Sequence, residues 1–280
     1  MNKLIQTEIY KSIHNKYFAI SMITAFIIQL FNVYPYYVFK NEALAFDLEQ
    51  INKGIATPKA FFESLDIYTF WMPVEGISMG SLLAKYLLPI LSVLPFGWSF
   101  LREQVSGYQM QTVCRMGKAR YFISKYIATF ISGAFPIAFM LLSNYAVLAL
   151  FFPLHTPSVD SLSTGIDINT FGGTLFYQNA FLFMLMWTGI SAIWGGTLAG
   201  LTMAVSLFLK NSIFVILFPF FITILWDNIC SLIIGNQSLS FIHLFYLNNQ
   251  SPFILFGEIL ILFLLSFAGG LIYYTKKDVL

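Results

Sequence analysis

Few residues in this sequence are of types that do chemistry, and fewer are spaced for it. Gly76-Ile77-Ser78-Met79-Gly80 matches G-x-S-x-G, which presents a nucleophilic serine when it joins a strand to a helix with a histidine and an acid in reach. Here the pentapeptide precedes an apolar run, and it reads as a flexible loop entering a helix. His14, His155 and His243 fall in three separate segments, with no pair at the spacing of a metal site. Cys114 and Cys230 also lie far apart and form neither a ligand motif nor an obvious disulfide. No G-x-x-x-x-G-K-[ST] loop occurs, so the chain does not hydrolyse ATP in the P-loop manner. What remains is Asp227, Glu258 and Asn32, each inside an apolar run. Polar groups in a membrane are costly and often mark a gate or a substrate path. A structural or hydrated role near the outer interface is the plainer alternative.

The elements that would carry these residues are set by composition. Of 280 residues, 58% are hydrophobic and 10% charged, against about 25% charged in a soluble domain. Mean hydropathy is +0.75. Several runs reach the roughly 20 apolar residues needed to cross a bilayer as helix, and none alternates as barrel strands do. The fold class expected is an all-α polytopic membrane protein forming one domain over residues 1–280. Six transmembrane helices are expected at about 17–39, 81–100, 121–152, 175–209, 212–234 and 253–274. Pro89 and Pro95 would kink the second and Pro136 the third. The long outer loop, 40–80, has a helix start at Thr57-Pro58, and Tyr68–Trp71 would lie at headgroup level. Residues 235–252 are unusually apolar for a loop and are expected to dip back into the membrane as a re-entrant hairpin before the last span. In the fourth span, Gly196-x-x-x-Gly200 lets a second helix approach closely, either within the chain or at a subunit interface.

Six spans put both termini on one side. That side collects Lys3, Lys11, Lys16, Arg102, Arg115, Lys118, Arg120, Lys125, Lys210, Lys276 and Lys277, against Lys40, Lys53, Lys59 and Lys85 opposite. The positive-inside rule makes the richer side cytoplasmic.

The one long polar segment on that side is the connector 101–125. Val105, Tyr108, Thr112 and Met116 recur at helical spacing, and Gly117 would end that helix. It would either lie on lipid headgroups or dock a cytosolic partner. Its pattern runs Glu103, Gly107, the run to Cys114, Gly117, Arg120 and Lys125, with the segment after Gly107 more polar than a fully apolar stretch. This resembles the coupling segment in the permeases of type-2 ATP-binding-cassette transporters, the type V exporter fold. Gly117 stands where that family more often has proline. The six-span layout and the apolar hairpin before the last span are similar too, and the polar N-terminal stretch matches the family's amphipathic connecting helix.

The resemblance implies a division of labour. A cytosolic ATPase dimer would bind ATP and magnesium, and this chain would bind no cofactor and catalyse nothing itself. Arg102, Glu103, Gly107, Arg115, Gly117, Lys118 and Arg120 would form the ATPase-coupling surface. A second permease subunit, identical or homologous, would complete the pathway in a multi-pass cell membrane, bacterial by resemblance, with no nucleic acid involved. The cargo would be hydrophobic or amphipathic: a drug, an antimicrobial peptide of the bacteriocin or lantibiotic kind, or a lipid-like molecule. The alternative is a stand-alone secondary transporter or membrane enzyme.

Overall fold

The structure, a computed structural model, describes residues 2–54, 66–154, 157, 166, 168, 170–236, 239–240, 242 and 252–276. Among these residues every regular element is helical. α1 (Asn2–Ile13) is followed by α2 (Lys16–Asn52), the short α3 (Ile67–Phe70) and α4 (Met72–Glu75), and α5 (Met79–Val93). The connector holds α6 (Ser99–Val105) and α7 (Tyr108–Met116), and α8 (Lys118–Leu148) follows. Then come α9 (Gly173–Gln178), α10 (Ala180–Val205), α11 (Ser212–Asn228) with a π-helical turn at Ile229–Ile234, and α12 (Pro252–Leu264). A second π-helical turn, Leu265–Gly269, joins α12 to α13 (Gly270–Lys276).

Among the described residues, five helical stretches are long and apolar enough to cross a membrane: Lys16–Asn52, Lys118–Leu148, Ala180–Val205, Ser212–Ile234 and Pro252–Lys276. The chain is therefore membrane-embedded. Three of these helices begin on asparagine. Asn15 Oδ1 accepts from Phe18 N, Asn179 Oδ1 from Leu182 N, and Asn211 Oδ1 from Ile213 N. Each satisfies a backbone donor that the first helical turn leaves orphaned. Asn15 also donates to the carbonyls of Lys11 and Ser12, so one side chain closes α1 and opens α2.

Three expected boundaries shift. α2 runs 13 residues into the expected outer loop, to Asn52, because Glu42–Asn52 is rich in helix formers and carries a Glu49–Lys53 pair one turn apart. The second span is not one kinked helix: α5 ends at Val93 and the chain turns through Leu94–Trp98. Pro89 is tolerated inside α5, whereas Pro95 disfavours continuation at the residue before it. At 15 residues α5 is about 22 Å long, short of the ~30 Å core. The fourth span is interrupted at Asn179, whose backbone leaves the helical region to cap α10.

The expected headgroup-level aromatics are instead core. Trp71 is wholly buried and its Nε1 donates to the Leu141 carbonyl, while Tyr68 and Phe70 pack beside it. The Thr57-Pro58 helix start lies outside the described residues, as does most of the hairpin at 235–252. Leu239 and Ser240 are described, and they fold back on α11. The Leu239 carbonyl accepts from Trp226 Nε1, and the Ser240 hydroxyl donates to Asp227.

Two packed regions result. The larger joins α2, α5, α8 and α10 with α3, α4, α9 and α12, and the smaller surrounds Phe100, Tyr121, Phe122 and Tyr274 at the connector end. The α8–α10 seam is made of small residues. A Cβ on Gly133 would meet Ala199 at 2.4 Å, and one on Gly195 would meet Ile137 at 2.8 Å. Lipid supplies no hydrophobic drive between helices, so such close approach is what holds them.

Candidate functional site

The connector is built by two glycines. Gly107 (φ 73°) and Gly117 (φ 85°) both adopt positive φ, and a Cβ on either would meet nothing within 4 Å. Backbone freedom, not crowding, requires glycine there. They cut α7 out as a nine-residue helix. It is held down by Gln109, whose Nε2 donates to Tyr274 Oη, and by Val113, which packs on the Tyr121–Tyr274 cluster. Three of the residues at helical spacing are exposed: Val105 is 76%, Tyr108 42% and Met116 41% accessible. The break at Gly107 resets the helical phase, so Val105 and Tyr108 do not share a continuous stripe.

Beneath the connector lies a buried charge cluster. Lys125 has no accessible side-chain surface, yet its Nζ donates to Glu103 Oε1 at 2.6 Å and to Glu8 Oε2 at 2.9 Å. Tyr121 donates its hydroxyl to Glu103 Oε2 at 2.5 Å. Lys11 pairs with the other Glu8 oxygen at 2.7 Å and reaches Tyr108 Oη at 3.2 Å. The Lys125 ammonium also sits 4.2 Å from the Phe96 ring centroid. Two acids and two bases balance, as buried charge requires. The four charged side chains, with Tyr108 and Tyr121, tie α1, α6, α7 and α8 together. Burial pushes the Glu8 carboxyl up, but Lys125 and Lys11 outweigh it and hold the group below the usual carboxylate range.

The expected coupling residues divide accordingly. Glu103 turns inward to Lys125 and is only 17% accessible. Arg102, stacked over the Trp98 ring, is exposed, as are Arg115 and Arg120, and Lys118 is half-buried. Between α1 and α7 is a groove of about 240 Å³ in which Lys3, Lys11 and Arg115 supply positive charge and Leu4 and Met116 apolar surface.

A second polar cluster lies about 25 Å along α2 from His14, by helical rise. Asn32 Nδ2 donates to Glu75 Oε2 at 2.8 Å and to Ser78 Oγ at 2.9 Å. Asn144 Nδ2 donates to Asn32 Oδ1 at 2.7 Å. Glu75 also accepts from the backbone N–H of Ile77 and Ser78 and, at 2.6 Å, from Ser81 Oγ. Ser78 is the N-cap of α5 and accepts from Ser81 N. The G-x-S-x-G serine is thus occupied in capping. His14, the one histidine among the described residues, is far from it and stacks on Tyr10.

Asp227 and Glu258 both act electrostatically on Cys230, and Asp227 also acts on Lys85. Asp227 accepts from Ser240, while Glu258 Oε2 is buried with no hydrogen-bond partner among the described residues. Asn32 belongs to the other cluster. Gly196 and Gly200 face α8: a Cβ there would meet the Phe130 ring at 2.9 Å and Tyr126 at 2.6 Å. Among the described residues no group of His, Cys, Asp or Glu is arranged to hold a metal, and both cysteines are free.

The residues missed from sequence are Glu8 and Lys11, whose partners lie over 90 residues away. Their one local signal is the Glu8–Lys11 spacing on an amphipathic segment. Comparison with family models, with curated proteins and with solved structures found no match for the chain.

Proposed function

We propose that this chain is the membrane permease subunit of an ATP-binding-cassette exporter of the type V fold. In this reading α5 with the Leu94–Trp98 turn is the sixth crossing, and the basic side carrying α1 and the connector is cytoplasmic. The observation that carries the proposal is α7. It is a short, exposed helix hung between two glycine joints, with its neighbour α6 anchored by Glu103 to a lysine buried in a long membrane helix. Such a part transmits a push. An element free at its surface and fixed at its root passes displacement into α8 and α1 rather than absorbing it. A cytosolic ATPase dimer would supply the push, binding ATP and magnesium itself. A second permease subunit would complete the path for a hydrophobic or amphipathic cargo.

Coexpression with an ATPase encoded beside it tests the proposal. The two proteins are expected to copurify, and ATP hydrolysis in liposomes is expected to respond to cargo only when both are present. Cargo movement by the purified chain on an ion gradient alone would overturn it. That outcome would favour the second reading, a stand-alone secondary transporter, for which the buried Glu258 oxygen, without a hydrogen-bond partner among the described residues, speaks.

A further inference from the structure

A second groove, also about 240 Å³, opens between α8 and the α12–α13 segment, lined by Ile123, Tyr126, Ile127, Phe130, Phe263 and Phe267. No polar group reaches its surface. Tyr126 turns its hydroxyl away to Ser266 Oγ at 2.7 Å, leaving its ring as the floor. Ser266 lies in the π-helical turn Leu265–Gly269. That turn lets Phe263 and Phe267 stack at 5.5 Å as one wall, with Phe267 edge-on to Tyr126 at 5.0 Å. π-Turns of this kind recur at functional sites.

The two elements run antiparallel. Phe267 meets Tyr126, Gly270 meets Phe122, and Tyr274 packs near Tyr121. That register brings exposed Lys276 level with the start of α8, where exposed Arg120 stands. Arg120 lies three, seven and ten residues before Ile123, Ile127 and Phe130, so it heads the same helical stripe. At 1.5 Å per residue the groove extends from about 4 Å to about 15 Å below Arg120. One leaflet of a ~30 Å hydrocarbon core has that depth. The site therefore offers cationic groups at one end and an apolar slot one leaflet long beneath them.

We propose that this groove holds an acyl chain of an anionic phospholipid whose phosphate sits at Arg120 and Lys276. The guanidinium suits phosphate oxygens through paired N–H donors. A seated lipid would fill the gap between α8 and α12 and so fix the angle between them. Arg120 then answers to the membrane rather than to a cytosolic partner. The inference does not rest on the exporter reading, since it concerns only the helices of this chain and the surrounding lipid.

The test uses the full chain in detergent, stripped of native lipid, titrated with phosphatidylglycerol, phosphatidylcholine or soluble glycerol 3-phosphate. Binding is read by native mass spectrometry and thermal stability. One phosphatidylglycerol is expected to bind at least tenfold more tightly than phosphatidylcholine, with no binding of glycerol 3-phosphate. Arg120→Gln with Lys276→Gln is expected to cut that preference below twofold. Ile127→Trp, which fills the slot, is expected to weaken both lipids at least tenfold. Phe221→Trp, on an exposed face of α11, should change neither and so controls for nonspecific loss. Equal binding of the two lipids, unchanged binding in Ile127→Trp, or binding of glycerol 3-phosphate alone would overturn the proposal. So would dissociation of a dimer by Ile127→Trp with lipid binding intact, or displacement of hydrophobic cargo rather than lipid.

Discussion

Lys125 donates to Glu103 across 2.6 Å from a position with no accessible surface. A lysine there is not a surface charge; it is the root of the connector. Desolvating the ammonium costs several kcal/mol, recovered only while both carboxylates are in place. Removing the cation alone strands Glu103 and leaves Glu8 with Lys11 alone, so Lys125→Met is expected to destabilise the chain by about 3–5 kcal/mol. The double variant Glu103→Gln, Lys125→Met, which keeps the Glu8–Lys11 pair and leaves no stranded charge, is expected to recover most of that. Thermal unfolding followed by size-exclusion chromatography checks both. A single variant as stable as wild type would remove the cluster from the scaffold.

The same cluster makes the docking of α1 depend on pH. With its folded value held below the unfolded one, Glu8 contributes stability above about pH 4.3, the ordinary glutamate value. That contribution is lost as pH falls through the folded value. For Lys11, burial pushes the ammonium down but Glu8 and Tyr108 push it further up. Its contribution is present below about pH 10.4 and lost as pH rises through the raised value. A spin label at Gln6→Cys, with Cys114→Ser, is expected to be immobile between these limits and to loosen below pH 4.3. In Glu8→Gln the acid step should vanish, with the label already mobile at neutral pH.

Sequence patterns reached some of this and not the rest, for identifiable reasons. The long apolar runs gave α2, α8, α10, α11 and α12 directly, because membrane crossing is a property of composition along one segment. The breaks at Asn179 and Pro95 depend on choices no local pattern makes. Pro89 and Pro95 are the same residue six apart, and only the second ends a helix. The connector motif located Glu103, Gly107, Gly117 and Lys125. It did not show that Glu103 faces Lys125, because that geometry follows from where Gly107 resets the chain. Glu8 with Lys125 and Asn32 with Asn144 pair across more than 100 residues, a separation at which sequence spacing carries no information.

At Gly80 a Cβ would lie 2.2 Å from the Asn32 backbone nitrogen, a rigid neighbour. Gly80→Ala must therefore push α2 from α5 and is expected to cost at least about 1–3 kcal/mol. Gly189, also helical, has open space around it. Gly189→Ala is expected to be neutral or stabilising by up to about 1 kcal/mol. Denaturation midpoints measured side by side test the contrast; equal effects would mean that the close α2–α5 approach is not fixed.

Ser78 is a capping residue. Ser78→Ala is expected to cost about 0.5–2 kcal/mol of stability, read from the thermal midpoint. A fluorophosphonate probe is expected not to label the wild-type chain, since among the described residues no histidine reaches Ser78 and no strand leads into it. Labelling at Ser78 would reopen the enzyme reading.

The division within the connector gives the most direct test of its role. Arg115 stands exposed on α7 and lines the basic groove with Lys3 and Lys11, while Glu103 is committed to Lys125. If α7 takes the push and Glu103 passes it on, the two substitutions should fail differently. Arg115→Ala is expected to weaken ATPase association several-fold, with thermal stability of the chain alone within about 0.5 kcal/mol of wild type. Glu103→Gln is expected to keep association but reduce cargo-stimulated hydrolysis, with a measurable loss of stability, because Lys125 loses half its compensation. Pull-down affinity, hydrolysis in liposomes and unfolding of the chain alone separate these effects. Were Glu103→Gln to weaken association as Arg115→Ala does, Glu103 would be a contact residue, and its burial against Lys125 would describe only one state of the connector.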